Sequence, residues 1–130
     1  MSPELKYLAF TALLTGSLWI PYIAAQVVAN GPLSAENYVD PTPRPVPNWG
    51  MRANRAHLNA VETFAPFAAL VIAIQLTGKN NAMTAFWAMG YFWVRLAHAI
   101  VFLIAIPYLR TLLFVLGYVA VVGLFVELVK

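Results

Sequence analysis

Arg52, Arg55, Asn59 and Glu62 recur at i, i+3, i+7 and i+10, so they share one stripe if their segment is helical. Guanidinium groups grip carboxylates bidentately, an amide both donates and accepts, and a carboxylate can hold an ammonium. The segment that carries them, residues 51–67, runs into Ala68–Leu76, which is nearly pure hydrocarbon. An ionisable stripe beside lipid is costly and must face a protein interior or a wet cavity. Two further groups have the same character. Arg95 and His98 share a helical face with Trp87, Tyr91 and Phe102, and Arg110-Thr111 opens the last apolar stretch. The chain has no Cys, so it offers no thiol nucleophile, no disulfide and no thiolate-ligated metal. We expect no metal site. What remains is electrostatics and positioning. A small anion with several carboxylates, an amine and peptide groups fits that surplus of guanidinium. A thiol bound in such a low-dielectric cleft would move toward thiolate.

The elements that must position these groups are membrane helices. Hydrophobic residues make up 62% of the 130 and charged ones 10%, against about 25% charged in a soluble domain. The missing charge makes lipid the solvent. Four runs reach the roughly 20 residues a bilayer crossing needs: about 5–29, 53–76, 82–106 and 109–129. Between the first two lies a long proline-rich connection, residues 30–50, with Pro32, Pro41, Pro43, Pro45 and Pro47; it reads as an ordered or semi-extended loop. Gly78 suits a helix stop, Asn81 an N-cap, and Pro107-Tyr108 a second reversal. The expected fold is all-α, an integral membrane four-helix bundle forming one domain over residues 1–130. Arg44, Arg52, Arg55 and Arg110 lie on one side; Lys6, Lys79 and Lys130 lie on the other. That balance puts the long loop inside and both termini outside the cytosol. The net charge of +3 is small and distributed as a membrane topology requires, so nucleic acid is not an expected partner.

Depth links the helices. If the second hairpin turns at Lys79–Asn80, Glu62 lies level with residue 97, roughly 15 Å into its helix. A carboxylate there must protonate or find a partner, and Arg95 is the expected one. His98 reads either as a neutral core histidine with one hydrogen-bond partner or as a ligand contact. Arg110 reads as a site residue or as a side chain snorkelling to headgroups. His57 falls off the polar stripe and is expected to make a structural hydrogen bond. Pro21 should kink the first helix, where Tyr22, Gln26 and Asn30 share a face suited to interhelical hydrogen bonding.

Residues 52–67, Arg-Ala-Asn-Arg-Ala-His-Leu-Asn-Ala-Val-Glu-Thr-Phe-Ala-Pro-Phe, resemble the second-helix signature of the MAPEG family, membrane-associated proteins in eicosanoid and glutathione metabolism. Arg55, Ala56, Asn59, Glu62 and Pro66-Phe67 match that pattern. Arg95-Leu-Ala-His98 is similar to the third-helix motif, and Arg110-Thr111 to the opening of the fourth. The resemblance implies a homotrimer that binds glutathione between protomers near the cytosolic face. Its ligands would be Arg52, Arg55, Asn59, Glu62, Arg95, His98 and Thr111, with Arg110 the catalytic residue that stabilises the glutathione thiolate. Glutathione is then the co-substrate and supplies the nucleophile, and the second substrate is a small lipophilic electrophile. The chain resembles short bacterial-type members, which implies a bacterial inner membrane. It departs from the eicosanoid enzymes in three places: residues 25–30 hold no arginine, Phe102 and Phe114 stand where tyrosine is common, and Leu58 follows His57.

Two functions of different class follow. One is a glutathione-dependent membrane transferase or peroxidase. The other is a non-catalytic structural or ligand-binding membrane module of the same fold, in which the charged network only holds subunits together.

Overall fold

In the computed structural model, residues 1–40 and 42–130 are described, 37 and 38 by backbone only; Pro41, among the loop prolines, lies outside them. Ser2 starts α1 (Pro3–Ser17) by accepting the Leu5 N–H at 3.3 Å, with Pro3 in the first turn and Glu4 at the positive end of the helix dipole. The helix breaks at Leu18 and resumes as α2 (Trp19–Asn30). Pro21 has no N–H for the Ser17 carbonyl, so the first span is two helices in series. The connection is not extended throughout, because Ala35–Val39 forms a short helix, α3. The next helix, α4 (Asn48–Thr77), begins ahead of the expected residue 53. Pro47 supplies the carbonyl that accepts from Gly50 and Met51, and its fixed φ suits a helix start. Arg52 and Arg55 therefore lie inside a helix and not at its mouth.

Gly78 ends α4 in the left-handed conformation at φ 67°, which costs glycine nothing. Asn81 then caps α5 (Ala82–Ile104) in a reciprocal box with Thr84. Ala105 closes α5, and α6 (Leu109–Val129) returns across the bundle. Four helical stretches, Pro3–Asn30, Asn48–Thr77, Ala82–Ile104 and Leu109–Val129, are long and apolar enough to cross a membrane. Among the described residues there is no strand. The architecture is an all-α four-helix bundle, as its sequence indicates.

The two halves of the bundle are filled differently. In the half that holds both termini Phe67, Val71 and Ile74 of α4 meet Tyr91 of α5 and Leu124 of α6. The Phe67 and Tyr91 rings stack 3.9 Å apart. In the half next to the long connection α4 buries Gly50, Ala53, Ala56 and Ala60, all small. Small side chains let helices approach closely; a Cβ on Gly50 would come within 2.6 Å of the Ala25 Cβ on α2. They also leave no bulky core around the arginines. The site occupies the half without one.

The end that holds the termini is tied by polar groups. Glu4, 1% exposed, accepts from the Thr84 hydroxyl, Ser2 donates to Gln75 at 2.7 Å, and Lys79 donates to the Leu128 carbonyl at 2.7 Å. Thr84→Val would strand the buried Glu4 carboxyl and open the cap of α5. We expect a loss of about 3 kcal/mol, read as a lower unfolding midpoint in detergent micelles, whereas Thr84→Ser should keep most of the stability.

Candidate functional site

Three helices bring polar groups together in the half next to the long connection. On α4, Asn59 lies one turn before Glu62 and Thr63. On α5, Arg95 and His98 are a turn apart, and both are buried, at 4% and 2% exposed. On α6, Arg110 and Thr111 open the helix and Phe114 follows one turn later. Asn59, His98, Phe102, Arg110, Thr111 and Phe114 line one cavity of about 180 Å³. Arg110 lies 5.0 Å from the centre of the Phe102 ring, a cation–π contact that directs its guanidinium along the cavity wall. Snorkelling alone would not require it.

Arg95 reaches into the same region by donating from Nη2 to Asn59 Oδ1 at 2.6 Å. The expected Glu62–Arg95 pair is not formed within the protomer; among the described residues the ion pair found is Lys130–Glu127, at the other end. Register is the reason. Counting from the turn treats α4 and α5 as straight helices rising equally, but α4 carries Pro66. The observed links Asn59–Arg95 and Thr63–Tyr91 (hydroxyl to carbonyl, 2.9 Å) shift α5 by about five residues, more than one turn. Asn59, the next residue on the same stripe, takes the place expected of Glu62. Glu62 is exposed on the α4 surface and shares a second cavity of about 200 Å³ with Arg95.

His98 has Phe102 edge-on at 5.6 Å and Phe114 at 6.5 Å. Among the described residues no hydrogen bond to it is formed, so the satisfied core histidine is not what is seen. His57 likewise lacks its expected bond: Nδ1 is buried with no partner among the described residues. Arg52 donates from Nε to the Leu103 carbonyl at 3.1 Å, capping one of the orphan carbonyls at the end of α5. That bond gives Arg52 a structural role. Arg55 is exposed and lines a cavity of about 600 Å³ with Arg44, Tyr22 and Gln26. The first helix supplies an internal ladder here: Gln26 donates to the Tyr22 hydroxyl at 2.8 Å, and Asn30 donates to Gln26 and to the Pro45 carbonyl. The ladder pins the proline-rich connection and is not a bond between spans.

Asn59, Arg95, His98, Arg110 and Thr111 are thus joined in one place. Glu62 sits at its rim, and Arg52 and Arg55 stand apart within the protomer. The sequence reading left out the second cavity, whose walls are Thr63, Pro66, Tyr91, Gly117, Tyr118 and Val121 beside the residues already named. The available signal was their spacing from Arg110 on α6, at i+4, i+7, i+8 and i+11 through Phe114.

A bundle of four membrane-length helices with one guanidinium, that of Arg95, buried between them is the architecture of an integral membrane protein. The chain belongs to the MAPEG family, whose family model matches residues 5–130. That family includes glutathione-dependent transferases and peroxidases as well as non-catalytic members. Neither the curated proteins nor the solved structures compared with the chain give a match.

Proposed function

We propose that the protein is a glutathione-dependent membrane transferase or peroxidase acting on a lipophilic electrophile. The observation that carries this reading is the cavity where Arg110, Thr111, His98 and Asn59 converge, while among the described residues no arginine forms an ion pair with a carboxylate. Excess positive charge in a partly dry cleft favours an anionic ligand, and it favours a thiolate over a thiol. Arg110 is the catalytic residue, aimed at the glutathione sulfur; Thr111, His98 and Asn59 fix the peptide, Arg55 and Arg52 meet its carboxylates, Arg95 holds Asn59 in place, and Glu62 takes its ammonium. In transfer, the sulfur attacks an electrophilic carbon and displaces its leaving group. In peroxide reduction, it attacks the terminal oxygen: the S–O bond forms, the O–O bond breaks, and the departing alkoxide takes a proton from water. A second glutathione then converts the sulfenic acid to disulfide and water.

Arg55 and Glu62 are exposed on the protomer, on a helix long and apolar enough to cross a membrane. Charges in that position require a protein or wet partner, which favours a homotrimer with the site shared between protomers. The inner end carries the arginine excess, which supports the long connection in the cytosol of a bacterial inner membrane and both termini outside. A non-catalytic module of the same fold is the second reading, favoured by Arg52, whose guanidinium already ties α4 to α5.

Thermal melting in detergent separates the two. A ligand that binds only the native state stabilises it by about 2.7 kcal/mol at a hundred times its Kd. Millimolar glutathione should therefore raise the melting temperature, and the disulfide form should raise it less. An unchanged melting temperature with both would leave only the structural module.

A further inference from the structure

A second polar region lies where α2 faces the proline-rich connection. Two cavities, of about 300 and about 600 Å³, share Tyr22, Gln26, Pro43 and Arg44, so Arg44 stands where they meet. The ladder on α2 sets the direction of its own hydrogens. The Pro45 carbonyl can only accept, so Asn30 turns Nδ2 toward it. The other hydrogen of that amide goes to Gln26 Oε1 at 3.1 Å, which leaves Gln26 Nε2 to donate to the Tyr22 oxygen at 2.8 Å. The half-buried Tyr22 hydroxyl must then send its own proton elsewhere, and it has no acceptor among the described residues. Arg44 is exposed beside it and forms no ion pair among them.

A hydroxyl donor and a guanidinium on one cavity favour an oxyanion. Arg55 on the wall of the larger cavity adds a second positive charge. The carboxylate on these walls, that of Asp40, is turned back on its own loop, where Oδ1 accepts the Thr42 N–H at 2.9 Å. The smaller cavity also has apolar walls in Ile23 and Val27, which are 40% and 42% exposed on a helical stretch long and apolar enough to cross a membrane. Hydrocarbon beside an oxyanion site suits a lipid and not a free phosphate. We infer that this groove holds the phosphodiester of an anionic phospholipid, with Arg44 and Tyr22 on its oxygens and an acyl chain along Ile23 and Val27. A choline headgroup brings a cation that the two arginines oppose, so a phosphatidylglycerol-type headgroup is preferred. General attraction of exposed arginines to anionic headgroups would make no use of Tyr22. The inference does not rest on the glutathione reading.

Native mass spectrometry of the full-length protein in detergent tests it, with dioleoyl phosphatidylglycerol, dioleoyl phosphatidylcholine and glycerol phosphate as the probes. Phosphatidylglycerol should stay bound in preference to phosphatidylcholine, and glycerol phosphate, which has the anion without the chains, should not displace it. Arg44→Gln should lower the retained phosphatidylglycerol about tenfold, the worth of one hydrogen bond to a charged group. Tyr22→Phe should lower it by a smaller factor, and Lys6→Gln, at the other end of the bundle, should leave it unchanged. Equal retention of the two lipids, or unchanged retention in both Arg44→Gln and Tyr22→Phe, would overturn the proposal. Displacement by glycerol phosphate would also overturn it, since the site would then be one for a free phosphate.

Discussion

Asn59→Leu should cost the bundle about 1.5–3 kcal/mol, since hydrogen bonds to charged groups are worth that much and the guanidinium left behind cannot move to water. Arg95 is 4% exposed and bonds to Asn59 at 2.6 Å. Leucine nearly matches asparagine in size, so packing changes little and the effect isolates the stranded charge. Arg95→Met should go the other way. Replacing a poorly compensated buried charge with an apolar chain of similar length is often neutral or stabilising. The double variant should therefore recover most of the stability that Asn59→Leu loses. Denaturant unfolding in micelles measures all three. Equal losses in both single variants would show that Arg95 has a compensating partner other than Asn59. The asymmetry also separates function from folding. A side chain whose removal strengthens the bundle is not there to hold it together.

Arg110→Ala carries the larger effect on activity. Arg110 is exposed at the mouth of α6, stacked on Phe102 and without an acidic partner among the described residues, so its loss should change melting little. Removing a single electrostatic donor to a developing or stored negative charge costs about 10²–10³ in turnover. Glutathione should still bind, because Arg55, Asn59 and Glu62 contact other parts of the peptide in the proposed site. The affected quantity is then kcat and not the affinity. Arg110→Lys should fall between, keeping the charge but losing the planar fork and its seat on the Phe102 ring. A parallel loss of glutathione affinity in Arg110→Ala would place the residue on a carboxylate instead of the sulfur.

Much of this was legible in the chain because lipid imposes simple rules. Hydrocarbon runs located the four spans, and Gly78 and Asn81 marked the turn between α4 and α5 through their backbone chemistry. The stripe from Arg52 to Glu62 pointed to the end of the bundle where Asn59 meets Arg95. What failed was register across the bundle. Rise per residue is fixed, but counting from the turn takes α4 as a straight helix, and α4 carries Pro66 between the turn and Glu62. That is why Asn59 and not Glu62 meets Arg95. The second cavity was hidden for a different reason. Gly117, Tyr118 and Val121 lie among apolar residues that all look lipid-facing, and only the neighbouring helices distinguish them. Glu4 was hidden too, since a carboxylate near a chain end reads as solvated until Thr84 is found against it.

The central claim is that arginines at the end of this bundle next to the long connection hold glutathione as its thiolate. The most direct measurement is the ultraviolet difference spectrum on adding glutathione to the purified protein at neutral pH, with proton release recorded alongside. A thiolate band growing in step with released protons, and absent in Arg110→Ala, is the expected result. Glutathione that binds with neither a thiolate band nor proton release would contradict it.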